Sequence, residues 1–198
     1  MHTEQLTLRE YAPPASLDTL DDETLAWQAR SNSHAFAELY GRYMERVHRF
    51  LLARTGSVQD AQDLTSQTFL AALESINKYG SRGSFGGWLF GIARHKLADH
   101  YRRRRVEVSL DGIESLHDAD PSPEEVAVAR LQLARVSKAL QSLDGRQAEA
   151  LALRVFGQLS AAEVGQVMGK SEAAVKMLVH RGLRKLQERL NHTLEVSL

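Results

Sequence analysis

Leu159–Leu190, LSAAEVGQVMGKSEAAVKMLVHRGLRKLQERL, reads as two helices joined by a tight turn, the second with one apolar and one basic face. Ser160 is placed to cap the first helix, and Glu163 three residues on completes an S-x-x-E capping box. Val164, Val167 and Met168 fall on one side. Gly169 suits the left-handed position that ends a helix, and Ser171 can cap the next. There Val175, Leu178, Val179, Leu183, Leu186 and Leu190 recur at helical period. Lys176, Met177, His180, Arg181, Arg184 and Lys185 take the opposite side. An apolar stripe that anchors the helix, backed by a row of cations and donors, is what a helix-turn-helix needs to read a DNA groove. The plain alternative is a helical hairpin with a solvated basic face.

Working outward, charge is segregated along the chain although its formal total is +0. Lys78–Arg105 holds eight Lys or Arg against one acid, whereas Val106–Val126 holds seven acids and no Lys or Arg. The first thirty residues are acidic on balance, and Lys170–Leu190 is basic again. Two basic blocks separated by acidic segments suit a protein with two phosphate-facing surfaces. With no cysteine in 198 residues, disulfides, thiol sensing and Cys-ligated zinc are excluded. No apolar run approaches the length of a bilayer span. The first residues, MHTEQLTLREYAPPASLD, lack the basic and apolar regions of a signal peptide. A cytoplasmic protein without membrane contact is the expectation.

Upstream, helical signals repeat and no strand pattern competes. Residues 1–20 carry Pro13 and Pro14 and read as a mobile tail. Asp21 and Asp22 open a short helix through Leu25 and Trp27. Ser33 is read as the cap of a longer one, with Phe36, Leu39, Tyr40, Tyr43, Val47, Phe50 and Leu51 in period and Gly56 at its end. Ser57 starts the next, from Val58 to about Ile76. Lys78–Gly87 is a loop with four glycines. A basic helix follows from Phe85 to Arg104, its stripe being Trp88, Leu89, Ile92, Ala93 and Leu97. The acidic, Pro-containing segment after it reads as a linker. Helices resume near Glu125 and run through Arg146–Phe156 into the helix-turn-helix. The expected fold is all-α: a tail over 1–20, a first helical domain over 21–105, an acidic linker over 106–126, and a second helical domain over 127–192.

Three stretches carry a family resemblance: AFAELYGRYMERVHRFL, DAQDLTSQTFLAAL at Asp60–Leu73, and SFGGWLFGIARHKLADHYRRRR. Leu25–Arg105 resembles the promoter-melting domain of bacterial sigma factors, most closely the short extracytoplasmic-function group. Leu131–Leu190 resembles that family's C-terminal domain, which reads the minus-thirty-five element. The sequence departs from the family pattern at Gln62, Ser66, Gln67, His95 and Ala174. The resemblance implies a dissociable sigma factor whose partners are core RNA polymerase and promoter DNA. It also raises an anti-sigma factor as a partner.

By the same resemblance, Asp60 and Asp63 meet basic residues on the clamp helices of the polymerase largest subunit, with Gln67 hydrogen-bonding nearby. Both aspartates also suit a helix N-terminus on dipole grounds alone. The resemblance further implies that Tyr79, Ser81, Arg82 and Phe85 line a pocket for a base out of the stack. For Phe85 a place in the core is an equal alternative, and Trp88 reads as core. Arg94, His95, Lys96, Arg102, Arg103 and Arg104 are expected along the backbone near the minus-ten element, where phosphate contacts position without specifying. In the last helix Lys176, Met177, His180 and Arg181 are candidates for minus-thirty-five base edges, and Arg184 and Lys185 for phosphate. The second domain is also expected on the polymerase flap, with the acidic linker directed toward the RNA exit channel. No H-E-x-x-H, G-x-S-x-G or Walker pattern occurs, and the eight histidines are scattered. The expectation is therefore a protein that is no enzyme and carries no cofactor. The competing reading is a stand-alone helix-turn-helix regulator, against which stands the lack of a receiver-like α/β half.

Overall fold

The computed structural model describes residues 16–80, 83–111 and 135–195, and for 105–111 and 190–195 the backbone alone. Every regular element among these residues is helical. In order they are α1 (Asp22–Gln28), α2 (Ser33–Thr55), α3 (Val58–Ser75), α4 (Phe85–Asp111), α5 (residues 135–141), α6 (Gly145–Val155), α7 (Ala161–Met168) and α8 (Glu172–Glu195). Short 3-10 turns occupy Leu17–Thr19 and Ile76–Lys78.

The helix starts follow local chemistry. The Asp21 carboxylate accepts from the Thr24 amide at 2.8 Å, and the Ser57 hydroxyl from the Asp60 amide at 3.2 Å. α2 is capped by Asn32, whose side chain accepts from His34 at 3.0 Å, so Ser33 is the first helical residue rather than the cap. Gly56 closes α2 at φ 73°. α4 begins at Phe85, which takes Gly86 and Gly87 out of the loop, and it runs on to Asp111, past the arginines at which the sequence ends it. Val106–Asp111 contains neither glycine nor proline, and Gly112 is the first residue that breaks a helix by propensity. The expected linker thus loses its first six residues to α4, and its remainder lies outside the described residues.

α1 to α4 surround Leu25, Leu39, Val47, Phe50, Leu51, Leu64 and Leu89, and α5 to α8 surround Leu140, Leu151, Leu153, Leu159, Val164 and Val175. The two groups form one continuous apolar cluster, joined where α4 meets α7 and α2 meets α6. The sequence leaves the placement of the two tethered domains open; here they are packed on each other.

The expected tail is also shorter. Leu17 and Leu20 pack on the first core, and Arg42 of α2 gathers the segment. Its guanidinium donates to the Leu20 carbonyl and the Asp22 carboxylate at 2.8 Å each, to the Asp18 carbonyl at 2.8 Å and to Glu38 at 2.9 Å. Asp22 also accepts from the Tyr43 hydroxyl at 2.5 Å. The bond to Asp22 is the main cause raising the Arg42 pKa, and burial followed by Asp22 raises that of Tyr43. One planar fork with five donors does what a lysine could not. Hydrogen bonds to charged groups are worth about 1.5–3 kcal/mol. Arg42→Ala should therefore lower unfolding stability by about 2 kcal/mol in urea titration, with Arg42→Lys recovering less than half.

Candidate nucleic-acid interface

The helix-turn-helix is built as its caps require. The Ser160 hydroxyl accepts from the Glu163 amide at 3.2 Å while a Glu163 oxygen accepts from the Ser160 amide at 2.7 Å, a complete capping box. Gly169 ends α7 at φ 63°, ψ 43°, a left-handed conformation that costs a glycine little. Ser171 accepts from the Ala174 amide at 3.2 Å and starts α8. Val175 is fully buried, and Leu178, Val179 and Leu186 are half-buried against the core. Leu183 departs from the expected stripe and is 50% exposed; Leu190's side chain lies outside the described residues.

Lys176, Met177, His180, Arg181, Arg184 and Lys185 all lie on the exposed side of α8. Lys176 pairs with Glu172 at 2.6 Å and Arg184 with Glu188 at 3.5 Å. Exposed i,i+4 pairs are weak, so either cation can exchange its carboxylate for a phosphate at small cost.

In the first domain the basic helix is divided. Arg102, Arg103 and Arg104 are exposed, and His95 with them. Arg102 bonds Asp99, which lies 3.7 Å from His95. Lys96 is half-buried at the edge of a groove that also holds Trp88, Ile92, His95, Gln166 and Val167. Arg94 is turned to the second domain, where it donates to Glu149 at 2.6 Å.

Tyr79 and Phe85 are 5% and 1% exposed, so in this conformation both rings belong to the core. They form an aromatic group with Trp88, the centroids being 5.8 Å apart for Tyr79–Phe85, 5.2 Å for Tyr79–Trp88 and 5.5 Å for Phe85–Trp88. The Tyr79 hydroxyl donates to the Gly83 carbonyl at 3.3 Å, and the Tyr79 carbonyl accepts from Arg30 at 2.5 Å. Ser81 and Arg82 lie outside the described residues. Of the four expected pocket residues, the two described form a buried aromatic pair.

On α3, Asp63 and Gln67 are exposed one turn apart. Asp60 instead turns toward α4, 3.8 Å from His100 and 3.9 Å from Arg104. The face continues with Leu70 and Leu73, 59% and 48% exposed, and Trp27 on α1 is 68% exposed. Sequence reading did not single out Leu70 or Leu73, and it took Trp27 only as part of the first helix. Leu70 follows Gln67 by three and Asp63 by seven, a spacing that places all three on one helix face.

Glu163 is the one acid in the helix-turn-helix whose pKa is set by several partners. Burial raises it, but bonds from the Ser84 and Ser160 hydroxyls and the Ser160 amide prevail and hold it below its ordinary 4.5. The Ser84 hydroxyl donates to it across the two domains at 2.6 Å.

The chain matches the family model for sigma-70 region 2 over residues 39–107 and that for sigma-70 region 4 over residues 133–186. It is 37% identical over 178 residues to the extracytoplasmic-function RNA polymerase sigma factor BldN of Streptomyces coelicolor, covering 88% of this chain and 67% of that one. It is 34% identical over 184 residues to the RNA polymerase sigma factor CnrH of Cupriavidus metallidurans, covering 86% and 94%. A solved structure of CnrH in complex with the cytosolic domain of CnrY superposes with a TM-score of 0.69 at 28% identity, covering 86% of this chain and 97% of that one. A structure of RpoE with the anti-sigma factor NepR from Bartonella quintana shares the fold, with a TM-score of 0.63 at 24% identity over 79% and 96%. An all-helical chain with these two regions in this order is a promoter-directing subunit of bacterial RNA polymerase. It belongs to the extracytoplasmic-function sigma factors.

The Glu163 shift fixes a sign. A carboxylate held below its ordinary pKa contributes stability that is fully present above 4.5 and lost as pH falls through the lowered value. The melting-temperature gap between wild type and Glu163→Ala should therefore be constant from pH 7 to about 5.5 and narrow below about 4.5. Thermal melts followed by circular dichroism across that range measure it.

Proposed function

We propose that this sigma factor holds the polymerase clamp helices through Asp63, Gln67 and Leu70 of α3, with Asp60 at the edge. Its α8 reads the minus-thirty-five element through Lys176, Met177, His180 and Arg181, with Arg184 and Lys185 on phosphate. Its α4 follows the minus-ten strand through Arg94, His95, Lys96 and Arg102–Arg104, beside the base-holding loop of Tyr79, Ser81, Arg82 and Phe85. The observation that carries this reading is the row of unburied cations on α8, presented by a capped, glycine-terminated turn on the same chain as the basic end of α4. The polymerase performs the chemistry, and this chain contributes no catalytic group. It acts in the cytoplasm, where polymerase and chromosome are. The acids of the segment after α4 enter the RNA exit channel, and the second domain rests on the flap.

CnrH is seen in complex with the cytosolic domain of CnrY, and RpoE in complex with the anti-sigma factor NepR. A protein inhibitor of that kind is proposed here as well.

The test is transcription in vitro by core polymerase on fragmented genomic DNA, with and without this chain. New discrete start sites sharing two upstream elements are expected. Asp63→Arg should weaken core association at least about tenfold, since a like charge replaces the attractive one. Arg181→Ala should lower initiation about 5- to 100-fold at sites with a matched minus-thirty-five element, the scale of one lost base contact. No association with core, together with two-fold footprints of the protein alone on duplex DNA, would establish a stand-alone regulator instead.

A further inference from the structure

α8 carries an acid at the end that a helix-turn-helix inserts first. A recognition helix meets base edges with its N-terminal residues. Glu172 is the first residue of α8, four before Lys176 and nine before Arg181. At 1.5 Å per residue it leads Arg181 by about 14 Å along the helix. The reading face derived from sequence begins at Lys176 and omits Glu172. Glu188 lies at the far end of α8, beside Arg184, and Glu163 of α7 is turned to Ser84 and Ser160.

The start of α8 is held in place by backbone. The Lys170 amide donates to the Gly165 carbonyl at 2.8 Å. A Cβ at Gly165 would stand 2.6 Å from the Lys170 carbonyl oxygen, so a glycine is needed for α7 to come this near the turn. Ser171 caps the helix one residue before Glu172. Ala173 and Ala174, exposed beside it, leave no bulk between this end and a base pair.

Glu172 accepts from the Lys176 ammonium at 2.6 Å, and both side chains are more than half exposed. That bond, and then the charge behind it, holds the Glu172 carboxyl below its ordinary 4.5, so it meets a groove as an acceptor and no donor. The pair thus presents an acceptor beside a donor. A C·G pair presents the complement in the major groove: the cytosine N4 amine beside the O6 and N7 acceptors of guanine. N4 and O6 are hydrogen-bonded to each other, about 2.9 Å apart, close to the spacing of the two protein atoms. An A·T pair also offers an amine, but there the acceptor across the pair, O4, stands beside the thymine methyl. A carboxylate in this position repels phosphate, so what it contributes is discrimination.

We propose that Glu172, held by Lys176, is a specificity-determining residue of this sigma factor, and that the two together read one C·G pair of the minus-thirty-five element through the cytosine N4 amine. The placement of α8 in that groove rests on the proposed function; the geometry of the pair does not. A Glu–Lys pair four apart at a helix start also suits the helix itself. That role sets stability and leaves base preference alone.

The test starts from a promoter found in the transcription experiment. Its minus-thirty-five element is randomised, the full chain with core polymerase selects from this duplex library, and bound DNA is sequenced. Wild type should favour C·G at one position about 5- to 100-fold over the other pairs. Glu172→Ala should lose that preference and keep the rest of the matrix. Glu172→Gln should move it to A·T, since an amide pairs with adenine N6 and N7. Both variants remove a charge that repels phosphate, so the chain's affinity for random-sequence duplex should rise at least about twofold.

An unchanged matrix would overturn the proposal, as would loss of preference for a pair other than C·G. Preference lost together with random-duplex affinity would make Glu172 a residue of the fold alone and overturn it too. If Glu172→Ala fails to fold by far-UV circular dichroism, Glu172→Gln, which keeps the shape of the side chain, decides by itself. A wild-type chain that binds no core or selects no sequence would sink the sigma reading and this proposal together. A selective wild type with unaltered variants sinks the role of Glu172 alone.

Discussion

Phe90, fully buried on α4, meets the Phe50 ring edge-on at 5.6 Å on one side, and on the other its ring fills the space where a Gly157 side chain would stand. A Cβ at Gly157 would be 2.9 Å from that ring and 2.6 Å from the Leu153 carbonyl oxygen. One aromatic side chain thus belongs to both cores. A helical unit of 60 to 80 residues buries only about 60% of the surface its unfolded chain exposes and is correspondingly marginal. Sharing α4 lets each unit remove from water a surface that it could not cover alone. An edge-to-face aromatic pair adds about 0.5–1.5 kcal/mol beyond its area. The contact between units is therefore a continuation of the folding of each.

The arginines divide by the same logic. Arg42 and Arg46 reach backbone carbonyls that no helix satisfies, and Arg154 donates to the Leu159 carbonyl in the turn before α7. Unpaired carbonyls at packed turns are costly, and a planar fork satisfies two or three together. Arg102, Arg103, Arg104 and Arg181 lie in water on surfaces without that demand. The formal net charge of +0 conceals this partition. Structural arginines consume backbone dipoles, acidic segments balance the total, and the cations left over concentrate on α8 and the end of α4.

Much of this was legible in the sequence because local chemistry decided it. Ser160, Glu163, Gly169 and Ser171 act within a few residues of themselves, and Val175, Leu178, Val179 and Leu186 follow the helical period. What escaped the sequence depends on distant partners. Phe90 lies off the periodic stripe of α4 because the helix packs on two sides, and a single-stripe reading assumes one. Tyr79 reads as a ligand for a base and Phe85 as either that or core; here both rings are buried and packed at a tilt against Trp88, partners that no local pattern reveals. Leu183 fits the period of α8 but falls beyond the edge of what α6 and α7 cover. Leu17 and Leu20 follow the adjacent prolines Pro13 and Pro14, and only the fork of Arg42, some twenty residues on, reveals why they pack. The exposed leucines of α3 give no local signal, because periodicity does not say which apolar face is left for a partner.

The closed arrangement and the function are linked by length. The two promoter elements are, by their names, centred about 25 base pairs apart, which at about 3.4 Å per pair is about 85 Å. Units joined by bonds of 2.6 to 3.1 Å cannot occupy both. Residues 112–134 could span at most about 80 Å when fully extended at roughly 3.5 Å per residue. The length of each helical unit adds to that reach, so separation rather than stretching limits the chain. Separation exposes Phe90 and Leu159 and frees Arg46, Arg94 and Glu163. A partner can drive it only to the extent that it binds the open form more tightly than the closed one. Duplex DNA on α8 alone has no such preference, because α8 is equally exposed in both. The difference must come from contacts that exist only when the units are apart, on surfaces that each now buries against the other.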